Sequence, residues 1–460
     1  MFKKVLAGVI FAIAASLLLY CPSSFADEQS VRQELNQLKA RMQALEDKLN
    51  KQDRCINDQQ RCILDQQRKI SEYESRLTDF DTDLHRQVGV PIQITDGLEI
   101  GAGATMIIQG TNNMNDSTAG VHRKVSRTDA SYSADVTIGK KFDAAGGKAF
   151  LHLETGQGGG LEDNFTLYSN VNHDQNTDVS LGISELLYEQ ALLGDKAVAT
   201  FGKLDPTAYF DNNDVANDET TQFLSRMFRN SPAIEFPDNT AGMRLGIIPN
   251  EWLELDWGVF DGDSDWERVG DNLFNIGQVV FKTNFFDLAG NYRLLGWNSG
   301  ANHIKWQDTT KDKQDTYGFG LSFDQKASDI VTLFTRYGWQ NPKVYNPDIT
   351  AIGDNNYSLE HSWSAGMQIE GSPWGREKDV FGFAMGQAFA SDDYKKFGSS
   401  TIAAPSAKTE GHIESYYNIH VNDHLSVSPD VQYIWNSFGK DVEDDTNGIF
   451  VAGARVQIDF

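Results

Sequence analysis

The chain has 460 residues, 65 acidic and 40 basic side chains, a formal net charge of −25 and three cysteines. Strong acidity argues against nucleic acid as a partner, because phosphates attract basic surfaces, and so few cysteines argue against a disulfide scaffold. Aromatic residues and glycine are frequent, so the composition favours a large secreted β-protein. A transmembrane β-barrel fits the low mean hydropathy, because its apolar residues alternate with polar ones.

Residues 1–26 have the three parts of a secretory signal peptide. Two lysines precede an apolar run over residues 5–20, and residues 24–26 form a small-x-small cleavage site. Cys21 follows the bulky Tyr20, which disfavours lipidation. After this signal, no segment is apolar over the roughly 18 residues that a membrane-spanning helix requires. We therefore predict an exported protein whose signal peptide is removed.

Residues 27–88 predict a helical stalk. From Val31 to Leu84, seam residues recur at alternating spacings of four and three, and no proline or glycine occurs before Gly89. This is the heptad pattern of a coiled coil, which at about 1.5 Å per residue would extend roughly 80 Å. A lone amphipathic helix is the alternative. Three polar seam residues would help to fix register and oligomer number: Gln52, Gln59 and Gln66.

Cys55 and Cys62 both lie in this predicted stalk. Seven residues of helix separate them by about 10 Å, which is too far for a disulfide within one helix. The spacing is compatible with an interchain disulfide in an oxidising periplasm and with free thiols. A Cys-x6-Cys pair without histidines spaced to complete it does not predict a zinc site.

From residue 89 to residue 460 the hydrophobic period changes to two. In the C-terminal segment IFVAGARVQIDF, every second residue from Phe450 to Phe460 is apolar, and Arg455 and Asp459 face the other way. Charged residues on the inner face favour the apolar-out, polar-in pattern of a membrane barrel over a soluble sandwich. The pattern predicts sixteen antiparallel strands near 97–109, 130–142, 147–155, 181–190, 195–203, 240–248, 252–260, 273–282, 287–297, 317–324, 329–339, 361–370, 380–390, 411–421, 424–435 and 448–460.

The predicted connections alternate in length. Those after even-numbered strands are short, and those after odd-numbered strands are long. This alternation is expected when one rim of a barrel faces the periplasm and the other the cell exterior. It places the stalk and Phe460 on the periplasmic side. The long connections cover 110–129, 156–180, 204–239, 261–272, 298–316, 340–360, 391–410 and 436–447.

The third long connection, residues 204–239, is charged and shows little sign of a buried face. Loops this long without periodicity are usually functional or disordered, and a barrel of about sixteen strands leaves an aqueous channel. By analogy with wide trimeric porins, we expect this loop to fold inward and form the constriction. A solvated external loop is the alternative. The predicted constriction residues are Asp205, Asp211, Asp214, Asp218, Glu219, Arg226 and Arg229.

Five charged residues are predicted on the inner wall of the barrel. Charges on the loop and wall would set a transverse field across the channel, whereas ion pairs between neighbouring strands are the alternative for each arginine. The wall residues are Arg244, Arg293, Arg336, Arg455 and Asp430.

The segments GKLDPTAYFDNN, NDETTQFL and FPDN, together with the terminal phenylalanine, resemble the carbohydrate-selective porins of the OprB family. The resemblance covers roughly residues 90–460, and the stalk departs from the simplest family members. It implies a sixteen-stranded outer-membrane channel for sugars, often trimeric, with charged residues at its constriction. The matching positions are Gly202, Lys203, Asp205, Tyr209, Phe210, Asp211, Asn217, Asp218, Glu219, Thr221, Gln222, Phe223, Phe236, Pro237, Asp238 and Asn239.

Asp261, Asp263 and Asp265 have the alternate spacing of calcium loops. The segment lacks the glycine at the sixth position and the glutamate at the twelfth, so it predicts a hydrated acidic turn, with a calcium site as the alternative. We predict no metal or other cofactor. No H-E-x-x-H or G-x-S-x-G motif occurs, so we predict no enzyme, with a barrel-embedded hydrolase as the alternative.

Together these patterns predict a homotrimeric outer-membrane porin with a periplasmic coiled-coil stalk. Its partners would be membrane lipid and small hydrophilic solutes, with sugars favoured by the OprB resemblance. The alternative is a general or ion-selective porin whose stalk also tethers the outer membrane to the cell wall.

Overall fold

The computed structural model describes most of residues 92–460. The predicted signal peptide and, apart from three helical residues, the predicted coiled coil lie outside the described residues. Within the described ranges, no helix is long and apolar enough to cross a membrane. These ranges are Lys39, Met42 and Gln43, then 92–95, 97–116, 121–123, 125–142, 146–177, 179–194, 196–351, 355–398, 404–439 and 448–460.

Sixteen long strands form one closed ring. Each strand pairs antiparallel with the next along the chain, and the first pairs with the last, with Met106 opposite Val456. Closure leaves no strand edge, so the backbone groups along the sixteen ladders pair within the sheet. The strands are β1 Leu98–Thr111, β2 Arg127–Phe142, β3 Gly147–Gln157, β4 Gly182–Leu192, β5 Ala197–Leu204, β6 Thr240–Asn250, β7 Leu253–Asp261, β8 Leu273–Phe285, β9 Leu288–Lys305, β10 Gln314–Lys326, β11 Val331–Gln340, β12 Leu359–Glu370, β13 Val380–Ala390, β14 Glu410–Asn422, β15 Leu425–Trp435 and β16 Ile449–Asp459.

The predicted sixteen-stranded antiparallel barrel is confirmed. The largest boundary difference is in β9, which the period-two pattern ended at residue 297 and which continues to Lys305. The added residues pair with Gln314 and with the short strand Val344–Tyr345. These residues are extended because they pair with segments distant in sequence. The local alternation of polar and apolar residues carries no information about such pairing. The fifth long connection shrinks accordingly to residues 306–313.

The remaining elements are short. Helix α1 spans Arg226–Arg229 and helix α2 spans Asp392–Phe397. The other short strands are Ile92–Thr95, which pairs with β1, Met114–Asp116 with Val121–Arg123, and Thr350–Ala351 with Asn355–Asn356. Single 3₁₀ turns occur at Glu162–Asn164, Pro206–Ala208, Ser372–Trp374, Ala404–Ser406 and Ser437–Gly439.

The two faces of the barrel differ in polarity as the alternation predicts. Met106, Trp257 and Phe450 point outward and are exposed, in a band of large apolar side chains. On the same strands Gln109 and Arg455 point inward and are buried. Apolar side chains outside and polar side chains inside are the arrangement of a transmembrane β-barrel, whose outer surface contacts lipid.

The buried core lies inside the ring. Side chains of the segment between β5 and β6 pack there against inward-facing wall residues, with Phe210 against Phe260 and Phe223 against Phe334. The expectation that this segment has little buried face is therefore wrong. Its apolar residues are scattered without a helical or strand period, because irregular chain does not repeat its orientation from residue to residue.

Candidate functional site

The segment from Asp205 to Asn239, here called the third loop, is ordered by short capped turns. The Asp205 carboxylate accepts hydrogen bonds from the backbone N–H and the hydroxyl of Thr207, at 2.8 and 2.7 Å. Asp218 binds Thr220 in the same way. Ser225 caps α1 by accepting from the backbone N–H of Met227 at 3.2 Å. Aspartate and serine favour such local bonds, so this polar composition builds structure without strand or helix periodicity.

The third loop crosses the barrel from one side to the other. Near its end, the Asn239 side-chain amide donates to the Ser184 hydroxyl of β4 at 3.0 Å. Ser231 lies 3.0 Å, hydroxyl to hydroxyl, from Ser362 of β12. In a ring of sixteen strands β4 and β12 are half a turn apart. The loop therefore lies inside the ring of strands and contacts opposite walls of the barrel.

Arg336 of β11 is the best-connected anchor of the third loop, and its side chain is 1% exposed. Its guanidinium donates twice to the carbonyl oxygen of Asp211, at 3.1 and 2.9 Å, and once to that of Phe228, at 2.5 Å. A further bond reaches the Asn217 side-chain oxygen at 3.2 Å. The Asp211 carboxylate lies 3.4 Å away and pairs with the charge. The planar fork of arginine thus binds three separate turns of one loop.

Strands β14 and β16 hold a second region of the same loop. Arg455 donates to the carbonyl oxygens of Glu219 and Gln222, at 2.6 and 2.9 Å. The two carboxylate oxygens of Glu414 accept from the backbone N–H groups of Leu224 and Ser225, at 2.5 and 3.0 Å. Both wall residues are almost fully buried. They satisfy loop backbone groups that would otherwise be costly to bury.

Most of the predicted constriction residues stabilise the loop internally. Arg229 is buried, binds Glu219 through an ion pair and hydrogen bond, and lies 3.7 Å from the Asp205 carboxylate. Arg226 is partly buried, and its backbone N–H donates to the Asn170 side chain at 2.6 Å. Within the loop, the charge of Arg229 is therefore paired with the carboxylates of Glu219 and Asp205.

Burial changes the acid–base properties of these loop groups. Desolvation raises the pKa of the Asp211 carboxyl, and the Arg336 charge only partly opposes that increase. Desolvation likewise raises the pKa of Glu219, against the opposing charge of Arg229. For Arg229, burial alone would lower the pKa, but Glu219 and Asp205 outweigh it and the pKa is raised. Glu219 and Asp205 thus stabilise the charged form of Arg229.

Among the five acids predicted at the constriction, Asp214 is the one whose side chain is half exposed. It accepts a hydrogen bond from the Asn291 amide at 3.1 Å and lies 3.4 Å from the Arg293 guanidinium. Both partners face inward from β9. Asp214 therefore presents a carboxylate to the lumen beside an amide and an arginine.

The predicted wall residues fall into two groups. Arg336 and Arg455 bind the third loop as described. Arg293 pairs with Asp324 on the neighbouring strand as well as with Asp214. Arg244 pairs with Asp256 of β7 at 2.6 Å and stacks over the Tyr209 ring of the loop at 4.8 Å. Asp430 lies beside the buried Gln432 amide at 2.9 Å. Strand-to-strand pairing, the alternative considered above, thus applies to Arg293 and Arg244.

The sequence pattern predicted β14 as a strand but did not single out its inward-facing Glu410 and Glu414, which together bind three of the long connections. Glu410 accepts from the backbone N–H groups of Ser169 at 2.8 Å and of Phe438 at 2.7 Å, in the second and last long connections. His412 follows, 3.1 Å from the Ser169 hydroxyl, and Glu414 then binds the third loop. The alternate polar residues in EGHIESYYNIH were a visible signal, but their loop partners are distant in sequence.

The family comparison agrees with this architecture. A model of the carbohydrate-selective porins, OprB family, matches residues 126–460. The chain belongs to this family. Membership of a porin family, together with the outward apolar band, places the barrel in the bacterial outer membrane.

Individual relatives of this OprB-family chain are distant. Porin B of Pseudomonas aeruginosa is 26% identical over 200 residues, covering 38% of this chain and 42% of that protein. An uncharacterised protein of Aquifex aeolicus is 27% identical over 145 residues, covering 31% and 40%. The alignments thus span less than half of either curated relative. The high-pH structure of Pseudomonas putida OprB has the same fold, with a TM-score of 0.63, 18% identity, and coverage of 79% of this chain and 94% of that one.

Proposed function

We propose that this protein is a porin that lets small hydrophilic solutes diffuse across the outer membrane and that it favours carbohydrates. The observation that carries the proposal is the third loop, which crosses the lumen of a wide barrel and is bonded to opposite walls. Such a loop narrows the channel while polar groups line it. The family description and the name of Porin B support transport, and the family description supports carbohydrate as the solute class.

The proposed constriction is formed by the exposed part of the third loop and the wall beside it. Asp214 and Asn291 offer a carboxylate and an amide that can exchange hydrogen bonds with sugar hydroxyls. Arg229, Glu219 and Asp211 hold the loop in place, since they are buried. Their role in permeation is therefore indirect.

Single-channel recording in planar lipid bilayers tests the proposal. Purified full-length protein should give stepwise conductance that added mono- or oligosaccharide reduces in a saturable manner. A polyethylene glycol of similar size serves as the control solute and should not show saturable block. Conductance without sugar block would support the alternative of a general porin, and absence of conductance would contradict a channel of either kind.

Asp214→Asn should make the channel less selective for cations. The exposed carboxylate contributes negative potential to the lumen, and its removal leaves the nearby Arg293 charge less compensated. Stability should change by no more than about 1 kcal/mol, because one partner is half exposed to solvent. The reversal potential across a salt gradient measures the effect. Asp312→Asn, which removes an exposed acid from another long connection, is the matched control and should leave the reversal potential unchanged.

The proposal also includes a homotrimer whose N-terminal stalk contacts the cell wall. The heptad seam between Val31 and Leu84 supports a trimeric coiled coil on the periplasmic side, and its length supports contact with the cell wall. Deleting residues 31–87 tests both points. Loss of trimers in native electrophoresis and loss of envelope attachment are expected, whereas unchanged attachment would contradict the tether.

A further inference from the structure

The connection between β7 and β8 carries three carboxylates that converge at one point. Asp261, Asp263 and Asp265 each place one carboxylate oxygen within 4.8 Å of the others. Asp261 is the last residue of β7 and is 1% exposed, whereas Asp263 and Asp265 are exposed. The cluster therefore has a buried base and an open side toward solvent.

One oxygen of the buried carboxylate has no donor. Oδ2 of Asp261 accepts from the backbone N–H of Trp266 at 3.1 Å, whereas Oδ1 accepts no hydrogen bond from any residue that the structure describes. A buried carboxylate oxygen without a partner is costly. This orphaned oxygen, beside two further carboxylates, indicates a place for a cation.

The other two carboxylates are held by donors of the same connection. Asp263 Oδ2 accepts from the Asn272 side-chain amide at 2.6 Å, and Asp265 Oδ1 accepts from the backbone N–H of Glu267 at 2.7 Å. These bonds orient both groups while using only one oxygen of each. The remaining oxygens are available to a ligand approaching from solvent.

In the part of the chain that the structure describes, the cluster has no lysine or arginine ion-pair partner. Among the described residues, no lysine or arginine nitrogen lies within 4.0 Å of the three carboxylates, and the nearby Arg268 pairs with Asp271 instead. By contrast, the buried carboxylate of Asp256 on the same strand pairs with Arg244. A bound cation would relieve the mutual repulsion of three neighbouring negative charges.

Two sequence features argued against a calcium loop here, the absence of glycine at the sixth position and the absence of glutamate at the twelfth. Counted from Asp261, the sixth residue is Trp266, which adopts the left-handed backbone with φ of 62°. Calcium loops use glycine at this position for a sharp turn. The connection makes a left-handed turn there without glycine, so the first objection loses its force. The twelfth position holds Asn272, whose side-chain amide donates to Asp263, so a site here would lack the glutamate ligand of a calcium loop.

We propose that Asp261, Asp263 and Asp265 form a Ca²⁺ site at the long-loop rim of the barrel. The donors are all hard oxygens, which suit Ca²⁺ or Mg²⁺ and not the transition metals that prefer nitrogen or sulfur. Carboxylates on an open, irregular turn fit the flexible coordination of Ca²⁺ better than the near-ideal octahedron that Mg²⁺ demands. Backbone carbonyls and water complete its six to eight ligands. Affinity in the range of about 10⁻⁴–10⁻³ M is expected, as for extracellular calcium modules.

Terbium luminescence tests this site with the full-length protein. Tb³⁺ is a Ca²⁺ surrogate, and Trp266, directly beside the cluster, serves as its sensitiser. Wild-type protein should give saturable emission that Ca²⁺ displaces at lower concentration than Mg²⁺. The variant D263N/D265N should bind Tb³⁺ at least about tenfold more weakly. Unchanged binding in that variant would overturn the site, and displacement by Mg²⁺ at lower concentration than Ca²⁺ would overturn the choice of cation.

The control variant D271N/D312N removes two exposed acids outside the cluster and should retain wild-type Tb³⁺ affinity. Equal weakening in both variants would mean that Tb³⁺ binds only through the overall charge, which contradicts a built site. Thermal unfolding gives an independent readout. Ca²⁺ should raise the midpoint of wild type and of the control but not that of D263N/D265N. In chelator, D263N/D265N should unfold at no lower a temperature than wild type, because the mutual repulsion of the carboxylates is removed.

Discussion

Arg336→Leu is expected to release the third loop from the wall and to increase single-channel conductance. The substitution leaves the Asp211 carboxylate without its guanidinium partner in a buried position, and it removes the donors to the Asp211 and Phe228 carbonyl oxygens. Breaking a buried ion pair from one side costs about 3–5 kcal/mol. Thermal unfolding should therefore begin at lower temperature, and bilayer recordings should show larger and noisier steps.

Two variants separate the anchoring role of Arg336 from a general effect of removing arginine. Arg268→Leu changes an exposed arginine of an outer connection and should preserve conductance and stability. Arg336→Lys keeps the charge but loses the planar fork, so an intermediate conductance is expected. If Arg336→Leu had the conductance of the wild type, the loop would be held without this residue.

Glu414→Ala is expected to expose the third loop to trypsin. The carboxylate accepts from the backbone N–H groups of Leu224 and Ser225, just before Arg226. Without it two buried donors lose their acceptor, at a cost of roughly 1–3 kcal/mol each. Local opening of the loop should then allow cleavage after Arg226, which limited proteolysis and mass spectrometry detect.

Glu267→Ala provides the control for this prediction, because Glu267 is exposed in the connection after β7. It should leave Arg226 as resistant to trypsin as in the wild type. Glu414→Gln retains one acceptor oxygen and should be cleaved more slowly than Glu414→Ala. Resistance of all three variants would show that Glu414 does not limit opening of the loop.

The strands were predictable because alternation is local information. From Phe450 to Phe460, each residue reports its own face through its polarity, and the same rule located every barrel strand to within a few residues at most ends. The prediction was poorest in β9, where residues 303–305 pair beyond a register shift and with the short strand Val344–Tyr345. Local polarity does not report such partners.

The third loop shows the opposite case. Its charged residues suggested a channel lining, and analogy placed it in the lumen, but the sequence did not show which charges would remain exposed. Asp214 is half exposed, whereas Arg229 in the same loop is buried and paired with Glu219. In the sequence both are simply charged residues of one irregular loop. Their burial differs because it depends on which strand of the wall each side chain contacts.

The sequence by itself determined the strand number, the inward and outward faces and the alternating connections, because the period-two pattern and turn residues act over a few neighbouring positions. Only the tertiary structure decided that Arg336, Arg455 and Glu414 bind loop backbone, and that three aspartates after β7 converge. Those contacts join residues that can be more than one hundred positions apart. Barrel closure and the path of an irregular loop bring them together, and neither has a periodic signal in the chain.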